Sequence, residues 1–313
     1  MPFEVLILGS ASATPSANRH TSAQLVNLLG RFFLIDCGEG AQMQLRRYGV
    51  KLQKIQYICI SHLHGDHYLG LIGLLSTMSL LNRKKELIVF GPKGLNKILD
   101  LHFKLSYSEL SFSVKIIPLQ GKGINKIFED SACELFSFGL RHRIPCWGFK
   151  LVEKKRPRKL LKSALIKYDI PVEKFNSIKV GENFITKENK LIPNILITTS
   201  SYAPRSYAYC SDTLYFNQII KYISGVDLLY HEATFHSSMD AKAKFTYHST
   251  SADAALVAKK GNVKKLILGH FSSRYKKLDV LKKDAEVIFN NVDLATEGSI
   301  WKIKKIYNHE DNC

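Results

Sequence analysis

The stretch ICISHLHGDHYLGLIGLL, residues 58–75, places His62, His64, Asp66 and His67 within six positions. It lies between an apolar run ending at Ile60 and a second apolar run that begins at Tyr68. The first run reads as a buried strand and the second as a helix with an apolar face. Side chains at i and i+2 of an extended segment point the same way, so His62 and His64 share a side. Gly65 permits a tight turn that returns Asp66 and His67 to the same point. Imidazole nitrogens and a carboxylate, with no thiolate, suit zinc or a similar divalent ion. Four such groups exceed what one tetrahedral ion with an open position needs, so the cluster is read as serving two ions. A solvated, histidine-rich loop would not be bracketed by a buried strand and an apolar helix.

Outward from this stretch, strands and helices come in two mixed blocks. FEVLILG, the halves of AQLVNLLGRFFLIDC about Leu29-Gly30, IQYICIS and ELIVFGP read as strands. AQMQLRRYG and KGLNKILDLHFKL read as helices. After residue 190, NILITTS, SYAYCSDT, DLLYHEAT and KLILGHFS read as strands, and SADAALVAKKG and Lys276–Phe289 as helices. The pattern predicts two sheets packed face to face with helices outside.

Length and composition set the class. The chain has 313 residues, 45% of them hydrophobic, enough for a large core. No apolar run approaches the roughly 18 residues needed to span a bilayer. The N-terminus MPFEVLILGS reads as a first strand and not as a secretory signal, so the expected compartment is the cytoplasm. Cys37, Cys59, Cys133, Cys146, Cys210 and Cys313 form no C-x-x-C pair and read as reduced, mostly buried thiols. Lys and Arg number 45 against 27 Asp and Glu, a net charge of +18 that favours a polyanionic partner. Residues 153–167 carry seven of those basic groups and one acidic group, inside the lysine-rich segment 150–190.

SHLHGDH resembles the signature of the metallo-β-lactamase superfamily. LIDCGEGAQMQLRR shortly before it, and YCSDT, HEATF, HSTSADAA and LGHFSSRY after it, resemble in content and order the motifs of one branch, the tRNA 3′-processing endonucleases called RNase Z. The resemblance covers essentially the whole chain. It implies an α+β fold, a four-layer αβ/βα sandwich of residues 1–313 with an inserted arm at 150–190. It also implies two Zn2+ ions per chain. Carried over motif by motif, His62, His64 and His142 hold the first ion. Asp66, His67 and His270 hold the second, and Asp212 bridges both. Asp36 is the expected partner of a ligating histidine.

Two divalent ions about 3.5–4 Å apart activate water near neutral pH and polarise a phosphoryl oxygen. With the 3′ oxygen leaving, hydrolysis yields an upstream 3′-OH and a downstream 5′-phosphate. Asp66, His248 and Glu232 are the catalytic candidates; Glu232 can fix the tautomer of His248 and favour its imidazolium. His20, His102, His231, His236 and His309 read as structural or surface residues. Arg19 and Arg274 are candidates for substrate contact near the cut. Lys154, Lys155, Arg156, Arg158 and Lys159 are candidates for gripping the body of a tRNA precursor through phosphates. A homodimer is implied by the family, and a membrane partner is not.

Two departures stand out. The P-x-K-x-R-N loop of the family appears as PSANRH, with Ala17 for lysine and His20 for asparagine. The Gly-Pro pair often seen in the arm is absent. Two other readings are another metallo-β-lactamase-fold hydrolase, acting on thioesters, sulfate esters or lactams, and a non-catalytic RNA-binding scaffold.

Overall fold

The computed structural model describes residues 2–16 and 18–307; Ala17, His309 and Cys313 lie outside the described residues. Two seven-stranded sheets dominate. The first runs in the order Ile300–Lys302, Phe3–Gly9, Ala23–Leu28, Arg31–Cys37, Ile55–Cys59, Leu87–Gly91, Val114–Pro118. The second runs Val292–Leu294, Leu266–Gly269, Leu228–Glu232, Ser206–Cys210, Cys146–Glu153, Cys133–Leu140, Ile124–Glu129.

Alternation along the strands decides which residues meet. Phe3, Val5 and Ile7 join Phe138, Phe149, Tyr207, Tyr209 and Tyr230 of the other sheet in one buried cluster. Leu6 and Leu8 belong to a separate cluster with Leu71, Leu74, Leu75 and Met78 of the helix Gly70–Leu80. Period-two placement thus gives one strand two apolar faces, one for the facing sheet and one for a helix. Ile219, Ala254, Val257 and Leu281, from helices Gln218–Ile223, Ser251–Lys260 and Asp279–Glu286, complete the core on the second sheet. The result is the helix–sheet–sheet–helix sandwich expected from the sequence. Truncating Leu74, which is fully buried, to Ala costs about 2–5 kcal/mol through the lost transfer energy and the cavity left.

Parallel pairing places the site. Arg31–Cys37, Ile55–Cys59 and Leu87–Gly91 run parallel in the first sheet. Ser206–Cys210, Leu228–Glu232 and Leu266–Gly269 run parallel in the second. Their carboxyl ends deliver Asp36, the His62–His67 loop, Asp212, Glu232 and His270. Ligands of open α/β sheets gather at such ends because successive loops converge there. Close packing seats the histidine loop: a Cβ on Gly38 would come within 2.4 Å of the Asp66 carbonyl, and one on Gly70 within 2.2 Å of the Gly38 carbonyl. The glycine of the D-C-G-E-G stretch therefore lets the loop approach the strand.

A second compact unit comprises, among the described residues, Glu153–Arg205 and residues 304–307. It has its own small core of Ala164, Ile170, Ile178, Phe184, Ile192 and Ile197. Its two ends are tied by a buried pair, with Arg205 Nη2 and Nε donating to Glu153 Oε1 and Oε2 at 2.7 and 2.8 Å. Paired geometry of this kind offsets much of the cost of burying the charges. The unit extends past Lys190 because composition marks the lysine run but not the returning chain that fills the core. NILITTS is not the strand expected: Asn194–Ile197 is a helical turn, and only Thr198–Thr199 is extended. Thr198 Oγ1 donates to the Asn194 carbonyl at 2.8 Å, and burial of Ile197 fixes the turn over the β preference of its residues.

Candidate metal centre

The structure brings seven side chains together in two groups that share one carboxylate. His62 Nε2 and His142 Nε2 each lie 3.1 Å from His64 Nδ1. Both also approach Asp212 Oδ2, at 3.7 and 3.8 Å. In the other group, His67 Nε2 lies 3.3 Å from His270 Nε2, and both lie 3.4 Å from Asp66 Oδ2. Asp212 turns its other oxygen, Oδ1, toward these rings, 3.3 Å from His67 and 3.2 Å from His270. Four donors around one tetrahedral zinc at 2.0–2.1 Å lie about 3.3 Å apart. Donor spacing of this kind fits metal binding, and Asp212 faces both groups.

Electrostatics agree with that fit. Burial holds the rings of His62, His64 and His142 below the usual histidine range, so they are neutral donors at pH 7. His67 is also buried, yet Asp212, Asp66 and Asp36 together push it well above that range. A corner so rich in carboxylates favours a cation.

The outer ring nitrogens are fixed from behind. His67 Nδ1 donates to Asp36 Oδ2 at 2.8 Å, and Asp36 also accepts from the Ser61 N–H at 2.7 Å and from Tyr209 Oη at 2.7 Å. His142 Nδ1 donates to the Tyr247 carbonyl at 2.9 Å, and His270 Nδ1 to Thr234 Oγ1 at 2.9 Å. Partners of this kind set tautomer and ring orientation, leaving the inner nitrogen as a lone-pair donor. Asp36 and His270 both adopt the left-handed backbone region, with φ of 54° and 57°. Such conformations store strain and gather at functional sites.

A chain 44% identical over 296 residues, named Ribonuclease Z, occurs in Bacteroides fragilis; the match covers 95% of this chain and 97% of that one. The chain belongs to the ribonuclease Z family. It is an endoribonuclease with a metal cofactor. Among solved structures, the short form of human tRNase Z is 30% identical, with a TM-score of 0.70 and coverage of 96% and 99% of the two chains. The metallo-beta-lactamase fold protein YhfI of Bacillus subtilis shares the fold at 20% identity, TM-score 0.68, over 96% of this chain and 99% of that one. The family described as Anti-Pycsar protein Apyc1 matches residues 3–117, the portion that includes the histidine loop.

In this ribonuclease Z relative, the Glu232 carboxylate is a hub. Oε1 accepts from His248 Nδ1 at 3.0 Å and from the N–H groups of Thr213 and Ser249; Oε2 accepts from the Thr234 hydroxyl at 2.7 Å. Thr234 in turn holds His270, so the carboxylate supports both His248 and a candidate metal ligand. Burial opposes charge on His248, but Glu232 outweighs it and raises the pKa to about 9.

The cavity at the centre, about 490 Å³, is lined by His64, Asp66, His142, Asp212, His248 and His270. Arg143 also lines it, a residue the sequence reading passed over although it directly follows His142. Among the described residues, Arg19 and Arg274 are not in that lining. Arg19 Nη2 donates to the Tyr275 carbonyl at 2.8 Å, and Arg274 Nε to Ser272 Oγ at 3.0 Å. In the second unit, Lys155 and Lys159 are exposed, whereas Lys154 is half-buried. Arg156 stacks over Tyr202, 5.3 Å from the ring centre. Arg158 is turned inward, with Nε donating to Thr198 Oγ1 at 2.6 Å and Nη1 to Ser200 Oγ at 3.0 Å. His20 pairs with Glu297, Nδ1 to Oε2 at 2.8 Å, which accounts for it structurally. Cys37, Cys59, Cys133, Cys146 and Cys210 are free and buried.

Proposed function

We propose that this endoribonuclease removes the 3′ trailer from tRNA precursors, leaving a 3′-OH on the tRNA and a 5′-phosphate on the trailer. Two zinc ions would be held by His62, His64, His142 and Asp212 on one side and by Asp66, His67, His270 and Asp212 on the other. When bound, such ions supply Lewis acidity and a nucleophile at neutral pH. The observation that carries the reading is the split of the Asp212 oxygens between the two groups.

His248 uses Nδ1 on Glu232, which leaves Nε2 as the free nitrogen of a ring that lines the cavity. An imidazolium there can protonate the departing 3′ oxygen or balance charge on the phosphate. Asp66 receives the Ala13 N–H on Oδ2 at 2.8 Å, which orients that carboxylate for its part in the site. The 153–205 unit supplies exposed lysines suited to phosphates of a folded RNA, recognised by shape. The family resemblance supports a homodimer, and the reading of the N-terminus as a strand supports a cytoplasmic location. Among the described residues, no helix is long and apolar enough to cross a membrane.

The test is end-mapping of products from a tRNA precursor with and without an encoded CCA, alongside elemental analysis of the purified protein. Cleavage at the trailer junction with two zinc ions per chain is expected. Turnover of small thioesters or sulfate esters with no cut in the precursor would instead favour another hydrolase of the same fold.

A further inference from the structure

An aromatic and arginine cluster stands at the rim of the metal cavity, and neither the donor set nor the His248–Glu232 pair accounts for it. Phe245, near the end of the helix Asp240–Thr246, is 75% exposed. The Arg143 guanidinium lies over its ring, 5.7 Å from the centroid, and over the Tyr247 ring at 6.0 Å. Arg143 Nη2 also donates to the Phe245 carbonyl at 3.0 Å, which ties the two segments together. The cluster is fixed to the site from both sides. Arg143 follows His142, whose Nδ1 donates to the Tyr247 carbonyl at 2.9 Å, and Tyr247 precedes His248. Arg143 and Thr246 line the same cavity as Asp212 and His248.

We propose that Phe245, steadied by Arg143 and Tyr247, is the stacking platform for the unpaired base of the nucleotide whose 3′ oxygen departs. The inference rests on the RNA-cleaving reading above. An exposed aromatic face beside a guanidinium suits an unpaired base, which offers its π-face, and the phosphate attached to it. A base held in a duplex has no face free to stack, so the platform selects an unpaired 3′ end. The side follows from His248. If its Nε2 serves the departing oxygen, the nucleotide bearing that oxygen is the one beside Tyr247 and Phe245.

The test uses two precursors, one normal and one abasic at the nucleotide immediately upstream of the cut. Each is cleaved by the wild type, Phe245→Ala and Phe245→Trp. Stacking of one base predicts a loss of roughly 5- to 100-fold in kcat/KM when the base is removed from the substrate of the wild-type enzyme. Phe245→Ala should lose a similar factor on the normal precursor and little more on the abasic one, and Phe245→Trp should retain the normal rate. Equal loss by Phe245→Ala on both precursors, or indifference of the wild type to the missing base, overturns the platform alone. A wild type that hydrolyses an aryl phosphodiester but cuts neither precursor overturns the proposed activity, and the platform with it.

Discussion

His248 Nδ1 lies 3.0 Å from Glu232 Oε1, and that same oxygen receives the backbone N–H of Ser249, the next residue in the chain, at 2.9 Å. One buried carboxylate therefore fixes both the charge of His248 and the backbone that presents it. Replacing His248 with Ala should lower turnover of a tRNA precursor by about 10²–10⁴ while leaving metal content near that of the wild type. The loss should shrink on an aryl phosphodiester whose leaving group needs no proton. Equal loss on both substrates would assign His248 to charge stabilisation; loss of metal would make it part of the metal site.

The pair also sets a pH dependence. Burial works against the imidazolium, but Glu232 raises the His248 pKa to about 9, so the protonated form prevails below that value. Turnover should fall on the alkaline side as the proton leaves. Glu232→Gln removes the charge that holds it, so the alkaline limb of the kcat profile should move to lower pH, and His248→Ala should lack that limb. An unmoved limb in Glu232→Gln would assign it to another group. Glu232→Ala should also lower the melting temperature, because the N–H groups of Thr213, Ser249 and Thr234 lose a buried acceptor.

Asp212 and Asp36 should separate in a metal assay. Asp212→Ala removes a donor from both groups, so metal content should fall at both sites. Asp36→Asn disturbs the outer nitrogen of His67, 2.8 Å away, together with the Ser61 and Tyr209 groups that share Asp36, and should weaken the His67 side most, by about 10- to 100-fold. Elemental analysis combined with chelator competition reads both; full occupancy in Asp212→Ala would contradict the bridge.

The basic unit offers a contrast between outward and inward charges. Neutralising Lys155 and Lys159 together should weaken precursor binding and reduce the slope of affinity against salt by about one for each phosphate deprived of its lysine. Arg158→Ala should instead loosen the unit, since Arg158 bonds Thr198 and Ser200. Limited proteolysis within residues 153–205 would report it. A change in salt slope for Arg158→Ala with no change in proteolysis would place that arginine on RNA.

The sequence by itself determined the sandwich, the donor types and their pairing of motif with strand end. Period-two strands and the H-x-H-x-D-H loop are local patterns, and residues 62–67 lie close in space because they lie close in the chain. The tertiary structure alone decided how Asp212 divides its oxygens, that Glu232 serves His270 through Thr234 as well as His248, and that Arg158 faces inward. It alone moved the boundary of the basic unit to Arg205, whose buried partner Glu153 lies 52 positions earlier in the chain. It also brought Arg143 against Phe245, 102 positions apart, at the cavity rim. Contacts between residues so distant in sequence depend on how two sheets and their loops pack, and no local periodicity encodes them.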